Sequence, residues 1–171
     1  LTGNPQITFF KVVYRRHTNF AVESIEQTFN GQADFGKRVT ATISRNGDLI
    51  QQMYLEVDLP IVTMAHGDNS NVWAYGVGNA LVKQADIEIG GQLIDRQYGD
   101  WMNIWSELTV PEGKRAGYDD MVGNKLLEGT STTFTQKGGL SCAATQRLYV
   151  PLQFWFNRNP GLALPLIALQ Y

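Results

Sequence analysis

The stretch Leu49-Ile-Gln-Gln-Met-Tyr-Leu-Glu-Val-Asp-Leu59 decides the fold class of this chain. Leu49, Gln51, Met53, Leu55, Val57 and Leu59 fall on one face of an extended strand, while Gln52, Glu56 and Asp58 share the other with Ile50 and Tyr54. Alternation of period two marks a strand with one side in a core and one side in water. Pro60 ends it. Immediately upstream, Asn46-Gly47 predicts a hairpin turn, and Val39, Ala41 and Ile43 alternate with Thr40 and Thr42. Residues 20–29, rich in β-branched and aromatic side chains, read as another strand that Asn30-Gly31 closes. Residues 6–16 are apolar on both faces through Phe9, Phe10, Val12, Val13 and Tyr14, which predicts a strand in the middle of a sandwich.

Downstream, residues 64–80 are polar and rich in Gly and Asn, the composition of a surface loop. Ala85, Ile87 and Ile89 resume the alternation, and Gly90-Gly91 turns it into residues 92–98 as a second hairpin. The helical period is convincing once. Trp101, Ile104, Trp105 and Leu108 stand at i, i+3, i+4 and i+7, with Asp100 placed to cap and Pro111 beyond the end. That stripe reads as a face packed into the core. Residues 112–145 are mixed, and 129–141 read as a long mobile excursion. Residues 147–156 predict a strand with Leu148, Val150, Leu152, Phe154 and Phe156 on one face, and residues 162–171 an apolar, buried end. Many strands, two hairpin turns and one short helix between long loops predict an all-β, antiparallel β-sandwich, and the long insert favours jelly-roll topology over an immunoglobulin domain.

Composition narrows the function. The 171 residues suit one domain or a piece of one, large enough to bury roughly 70% of the unfolded surface. With 43% hydrophobic and 18% charged residues, the chain is neither a disordered tail nor a coiled coil. Fourteen basic against 16 acidic residues give a net charge of −2, which leaves no surplus for gripping a phosphate backbone. Cys142 is the single cysteine, so an intrachain disulfide and a cysteine-based zinc site are excluded. Residues 162–169 are apolar but contain Pro165 and are too short to cross a bilayer. No secretory signal opens the chain, and its start on Leu1 reads as a trimmed or partial sequence. No Asn-x-Ser/Thr sequon occurs.

Few residues offer chemistry. His17 and His66 are the only imidazoles, too few for a cupin-type metal site. Glu56 with Asp58, and Asp86 with Glu88, are i, i+2 carboxylate pairs projecting on one sheet face, the arrangement a β-sandwich glycosidase needs. Alternation alone also produces such pairs on a solvent face. No G-x-S-x-G elbow occurs, and Gly76-Val77-Gly78 lacks the third glycine of a dinucleotide turn. Lys11 with Arg15-Arg16-His17 forms a basic run suited to a strand end reaching water. No catalytic, cofactor-binding or metal residue is assigned, and no cofactor is expected. The default reading is a structural or binding module.

Four blocks carry a more specific likeness: Leu1-Thr-Gly-Asn-Pro-Gln-Ile-Thr-Phe-Phe-Lys11 with the following Val12-Val-Tyr-Arg-Arg-His-Thr-Asn-Phe20; Ile43-Ser-Arg-Asn-Gly-Asp-Leu49; Ile87-Glu-Ile-Gly-Gly-Gln-Leu-Ile-Asp95; and Pro160-Gly-Leu-Ala-Leu-Pro-Leu-Ile-Ala-Leu-Gln-Tyr171. In this order they resemble the start of the major capsid protein of nucleocytoplasmic large DNA viruses, the group including phycodnaviruses and iridoviruses. The resemblance implies the first half of a double jelly roll, with residues 1–171 as the N-terminal jelly-roll domain, incomplete at its C-terminus and without the second. It implies trimeric, pseudo-hexagonal capsomers in an icosahedral virion shell, with itself, neighbouring capsomers and minor capsid proteins as partners and no direct contact to nucleic acid. A sandwich lacking its last strand exposes an unpaired edge, so the isolated polypeptide is not expected to be a well-behaved monomer. The loops at 64–80 and 129–141 are the expected outward or inter-capsomer surface. A carbohydrate-binding jelly-roll module is the alternative, ahead of a glycosidase built on the acid pairs.

Overall fold

A computed structural model describes residues 17–62, 73–124 and 145–169. The chain divides into two compact units, Leu1–Asn46 and Gly47–Tyr171.

In the first unit, β1 (Phe29–Asn30) pairs antiparallel with β2 (Thr40–Ala41). Gly31 and Gly36 take positive φ between them, as Asn30-Gly31 predicts for a reversal. Gln27 Oε1 accepts hydrogen bonds from the Ser44 N–H at 2.8 Å and the Ser44 hydroxyl at 2.9 Å, closing the unit's open end. Residues 20–28 are not a strand, in contrast to the expectation, and Phe20 and Val22 are exposed. Their apolar content has no partner ladder within the described part of this unit. The expected strand at 6–16 lies outside the described residues.

The second unit holds β3 (Leu49–Ile50), β4 (Tyr54–Leu59), α1 (Val77–Leu81), β5 (Ala85–Ile89), β6 (Gln92–Gln97), α2 (Gly99–Thr109), α3 (Glu112–Val122), β7 (Gln146–Pro151), α4 (Trp155–Arg158) and β8 (Leu164–Pro165). Short 3-10 turns cover Pro160–Leu162 and Leu166–Leu169. All pairings are antiparallel: β3 with β8, β4 with β7, and β5 with β6. Alternation in the deciding stretch holds from Gln51 to Leu59, with the odd-numbered positions turned inward and Leu59 buried. Its first two residues depart from the phase, Leu49 being exposed and Ile50 half-buried. The Asn46-Gly47 hairpin does not form, because a turn permits reversal without supplying a partner, and β3 pairs with β8 instead.

Gly90 and Gly91 both take positive φ, 60° and 79°, the backbone a two-residue turn between twisted strands requires. The β5–β6 hairpin therefore forms as expected, with a bulge at Ile87/Glu88. Among the described residues, four α-helices stand where one short one is expected. α3 occupies the start of the mixed stretch, and its signals are legible in retrospect: Pro111 at the entry, Glu112 in the first turn and Gly123 at φ 80° as the stop. Its Tyr118 and Val122, one turn apart, are buried. α1 begins inside the expected loop at 64–80 and runs one residue past it, with Val77, Gly78 and Asn79 buried. The expected strand at 147–156 stops at Pro151, and Phe154 and Phe156 are buried through α4. Asn157 fixes that change of direction: its Oδ1 accepts from the Phe154 N–H at 3.1 Å, and its Nδ2 donates to the Gln51 carbonyl at 3.1 Å.

Among the described residues, two apolar clusters hold this unit. Leu59, Val77 and Leu148 form one, with Val57, Trp73 and Leu81 against it. Ile87, Phe154, Phe156 and Leu164 form the other, joined by Ile50, Met53, Ala85, Ile89, Leu152, Trp155 and Leu169. Phe156 stacks on Phe154 at 5.9 Å and meets Trp155 edge-on at 4.9 Å. The C-terminal end is less buried than expected, because Leu162 and Ile167 are exposed and Leu164 alone among the described residues from 162 is buried. Close approach of backbones makes two glycines necessary. A Cβ on Gly78 would stand 2.8 Å from the Val122 carbonyl and 2.9 Å from a Val150 methyl, and one on Gly99 would meet the carbonyls of Asn79 and Val82.

Candidate functional site

The two acid pairs come first, because they are what a hydrolase would use. In the β4–β7 ladder Asp58 stands directly opposite Arg147. The guanidinium donates from Nε to Asp58 Oδ1 at 2.7 Å and from Nη2 to Oδ2 at 2.9 Å, a bidentate pair, and Nη1 lies 3.0 Å from Glu56 Oε1. The hydrogen bonds from Arg147 hold the Asp58 carboxyl below its ordinary value, and the same bonds raise the guanidinium. In the β5–β6 hairpin Asp86 stands directly opposite Arg96, which donates from Nε to Oδ1 at 2.8 Å and from Nη2 to Oδ2 at 3.1 Å. Gln84 Nε2 adds bonds to both carboxylate oxygens. An acid catalyst for glycosidic cleavage needs a raised pKa. Here both aspartates are tied to arginine across a ladder, and Glu56, Asp58 and Glu88 lie on exposed faces. Sequence reasoning isolates the acids but not the arginines, because cross-strand partners emerge only with the register.

The aromatic helix also differs from its expected role. On α2 the buried residues are Gly99, Met102 and Ser106, whereas Trp101, Ile104 and Leu108 are 37%, 52% and 74% exposed. Core packing thus uses the opposite flank of the helix. Asp100 lies in the first turn, and the extended residue before the helix is Tyr98. Trp101 and Trp105 sit 5.7 Å apart, and the Arg158 guanidinium stacks 4.6 Å from the Trp105 ring centre and 5.7 Å from that of Trp101. Glu107 on the same helix pairs with Arg115 of α3, which also reaches Asp119 at 3.3 Å.

At the N-terminal end of α2 lies a cavity of about 110 Å³ lined in part by Tyr75, Gly76, Asn79, Gly99, Asp100 and Asn103. Asn79 is only 3% exposed, and its Nδ2 donates to the Tyr118 hydroxyl at 3.1 Å. Its Oδ1 has no hydrogen-bond partner among the described residues. The same holds for Asn124 Oδ1, which would stand 3.1 Å from a Cβ built on Gly76. A second hollow of about 80 Å³ lies among Gln52, Met53, Tyr54, Leu152, Gln153 and Asn157. Among the described residues no cluster of three His, Cys, Asp or Glu is placed to hold a metal ion, and no helix is long and apolar enough to cross a membrane. His17 is exposed, while Lys11, Arg15, Arg16, His66, Cys142 and the excursion at 129–141 lie outside the described residues.

Residues 8–171 match the family model described as the major capsid protein N-terminus. The chain belongs to the major capsid protein family. Over 188 aligned residues it is 55% identical to the major capsid protein of Phaeocystis pouchetii virus, covering 100% of this chain and 36% of that protein. It is 46% identical to the major capsid protein of Paramecium bursaria Chlorella virus 1 over 174 residues, covering 100% and 35%. Similarity extends to the major capsid protein of Tipula iridescent virus at 33% identity. Among solved structures, PBCV-1 VP54, fitted into a reconstruction of the virophage Sputnik, superposes with a TM-score of 0.70 at 43% identity, over 96% of this chain and 35% of that one. The chain spans little more than a third of the length of these relatives. They are capsid proteins rather than enzymes, in keeping with carboxylates committed to cross-strand arginines.

Proposed function

We propose that this chain is the N-terminal jelly roll of a protein that builds an icosahedral virion shell. Its parent assembles as homotrimeric, pseudo-hexagonal capsomers that contact neighbouring capsomers and minor capsid proteins. The observation that carries the reading is the superposition, across 96% of the chain and with a TM-score of 0.70, on a chain of the PBCV-1 virus capsid. The chemistry described above supports it. Solvent faces stitched by arginine–carboxylate ladders, over two apolar clusters, make a stiff block whose work is contact rather than turnover. Each subunit in a shell is held by several neighbours, so modest contacts sum to a stable assembly.

The full-length protein containing these residues tests the reading. Sedimentation of the purified protein should give a trimer, and electron cryo-microscopy of the virion should place the 171-residue fold repeatedly in the outer shell. A soluble monomer absent from the shell overturns it.

A further inference from the structure

We propose that Asn46 is a self-modification site. The Gly47 backbone nitrogen closes on its side chain to give a succinimide, water opens that ring chiefly to isoaspartate, and the product loosens the β3–β8 ladder.

The chain holds two Asn-Gly pairs, Asn30-Gly31 and Asn46-Gly47. Glycine is the neighbour that favours such a cyclisation, because no Cβ crowds the attacking nitrogen. Structure separates the two pairs. Asn30 is held in the β1–β2 ladder opposite Thr40, and its Nδ2 donates to the Thr42 hydroxyl at 3.4 Å. Ring closure must rotate the asparagine backbone and side chain together, and a ladder opposes that rotation. Asn46 instead sits on an exposed bend outside any strand. Among the described residues neither its side-chain amide nor the Gly47 N–H has a hydrogen-bond partner. A Cβ built on Gly47 meets nothing within 4 Å beyond its chain neighbours, so the bend has room for the closing ring. Elsewhere, Asn79 is buried, and Asn159 precedes Pro160, which has no N–H to attack with.

The reaction balances with water as its only co-reactant. Solvent base takes the Gly47 amide proton, the nitrogen bonds to Asn46 Cγ, and the Cγ–Nδ2 bond breaks with release of ammonia. Water then adds to one of the two ring carbonyls. Cleavage at Cγ leaves aspartate, whereas cleavage at the main-chain carbonyl leaves isoaspartate, with the backbone rerouted through Cγ. Both products carry a new carboxylate, and isoaspartate also lengthens the main chain by one carbon. That carbon enters just ahead of β3, which is two residues long and pairs Leu49 with Pro165 and Ile50 with Leu164. The Asp48 carbonyl, two residues past the altered position, accepts the Leu166 N–H at 2.9 Å. A ladder this short has little capacity to absorb a shift of register.

Peptide mass spectrometry of the full-length protein tests this, after incubation at neutral pH and digestion in heavy-oxygen water, which marks conversions made during digestion. Position 46 is expected to convert about 10-fold faster than position 30, a modest share of what orientation can contribute. The product should accept methyl groups from an isoaspartyl methyltransferase. Asn46→Gln should abolish the conversion. Gly47→Ala, whose methyl meets no neighbour, should slow it several-fold with an unchanged melting temperature. Hydrogen exchange should be faster at the Leu166 amide in the converted fraction. Equal rates at positions 30 and 46, an undiminished rate in the Gly47→Ala protein, or a Leu166 amide equally protected before and after conversion would each overturn the proposal.

Discussion

The β4–β7 and β5–β6 ladders solve the same problem from opposite ends. β4 and β7 meet across 89 residues of sequence at Asp58 and Arg147, in an unbroken register of six pairs. Both strands alternate cleanly, with Leu59, Leu148 and Val150 inward and Glu56, Asp58, Arg147 and Tyr149 outward. β5 and β6 meet across Gly90-Gly91, and their pattern is poor: Leu93 and Ile94 are exposed, Gln97 is buried, and a bulge interrupts the register. A distant partner must be recognised by pattern, since little local geometry brings it near. A local partner is delivered by the turn, and the turn tolerates a mixed face.

The sharpest way to break this contrast is to truncate one apolar side chain in each ladder, buried Leu148 and exposed Leu93. Leu148→Ala beneath β7 should cost about 2–5 kcal/mol in urea unfolding of the full-length protein. Leu93→Ala on β6 should stay within about 0.5 kcal/mol. Equal losses would show that the hairpin also depends on its apolar face. Next in size is Gly78→Ala, which pushes a methyl against Val150 and the Val122 carbonyl and should cost about 1–3 kcal/mol. Gly91→Ala meets no neighbouring atom within 4 Å yet sits at φ 79°, so it should cost roughly 1–2 kcal/mol through backbone strain alone. Only β5–β6 should loosen, as read by hydrogen exchange.

The smallest effect is electrostatic. Asp58 titrates below its ordinary value of 3.8, so the contribution of its bond to Arg147 is fully present above that pH and is lost as pH falls through the lowered value. Both groups are exposed, so that contribution is small even at neutral pH, and Arg147→Gln should leave unfolding there nearly unchanged. The Asp58 titration, followed by carboxyl NMR, should return toward 3.8. An unmoved midpoint would mean that the cross-strand pair does not form in solution.

The same contrast explains how much was legible in the sequence. The strand at 54–59, the glycine hairpin and the extent of α2 follow from local chemistry, and each forms. The facing of α2 is not local. Its aromatic stripe has the period of a buried face, yet Gly99 packs so closely on the Asn79 and Val82 carbonyls that the small flank turns inward and the tryptophans outward. Asn46-Gly47 failed for the same reason, since β3 is claimed by β8. The acid pairs were visible by spacing, but Arg147 and Arg96 become their partners only once register is fixed. Asn79, buried beside a cavity, had no sequence signal beyond a polar residue in a stretch that reads as loop.

The clamp between Asp58 and Arg147 also sets a timetable for synthesis. A ribosome adding about 5–20 residues per second needs roughly 4–18 s to travel the 89 residues that separate them. Through that interval the nascent chain carries β4 without its mate, its greasy side a target for chaperones and for the edges of sibling chains on the same polysome.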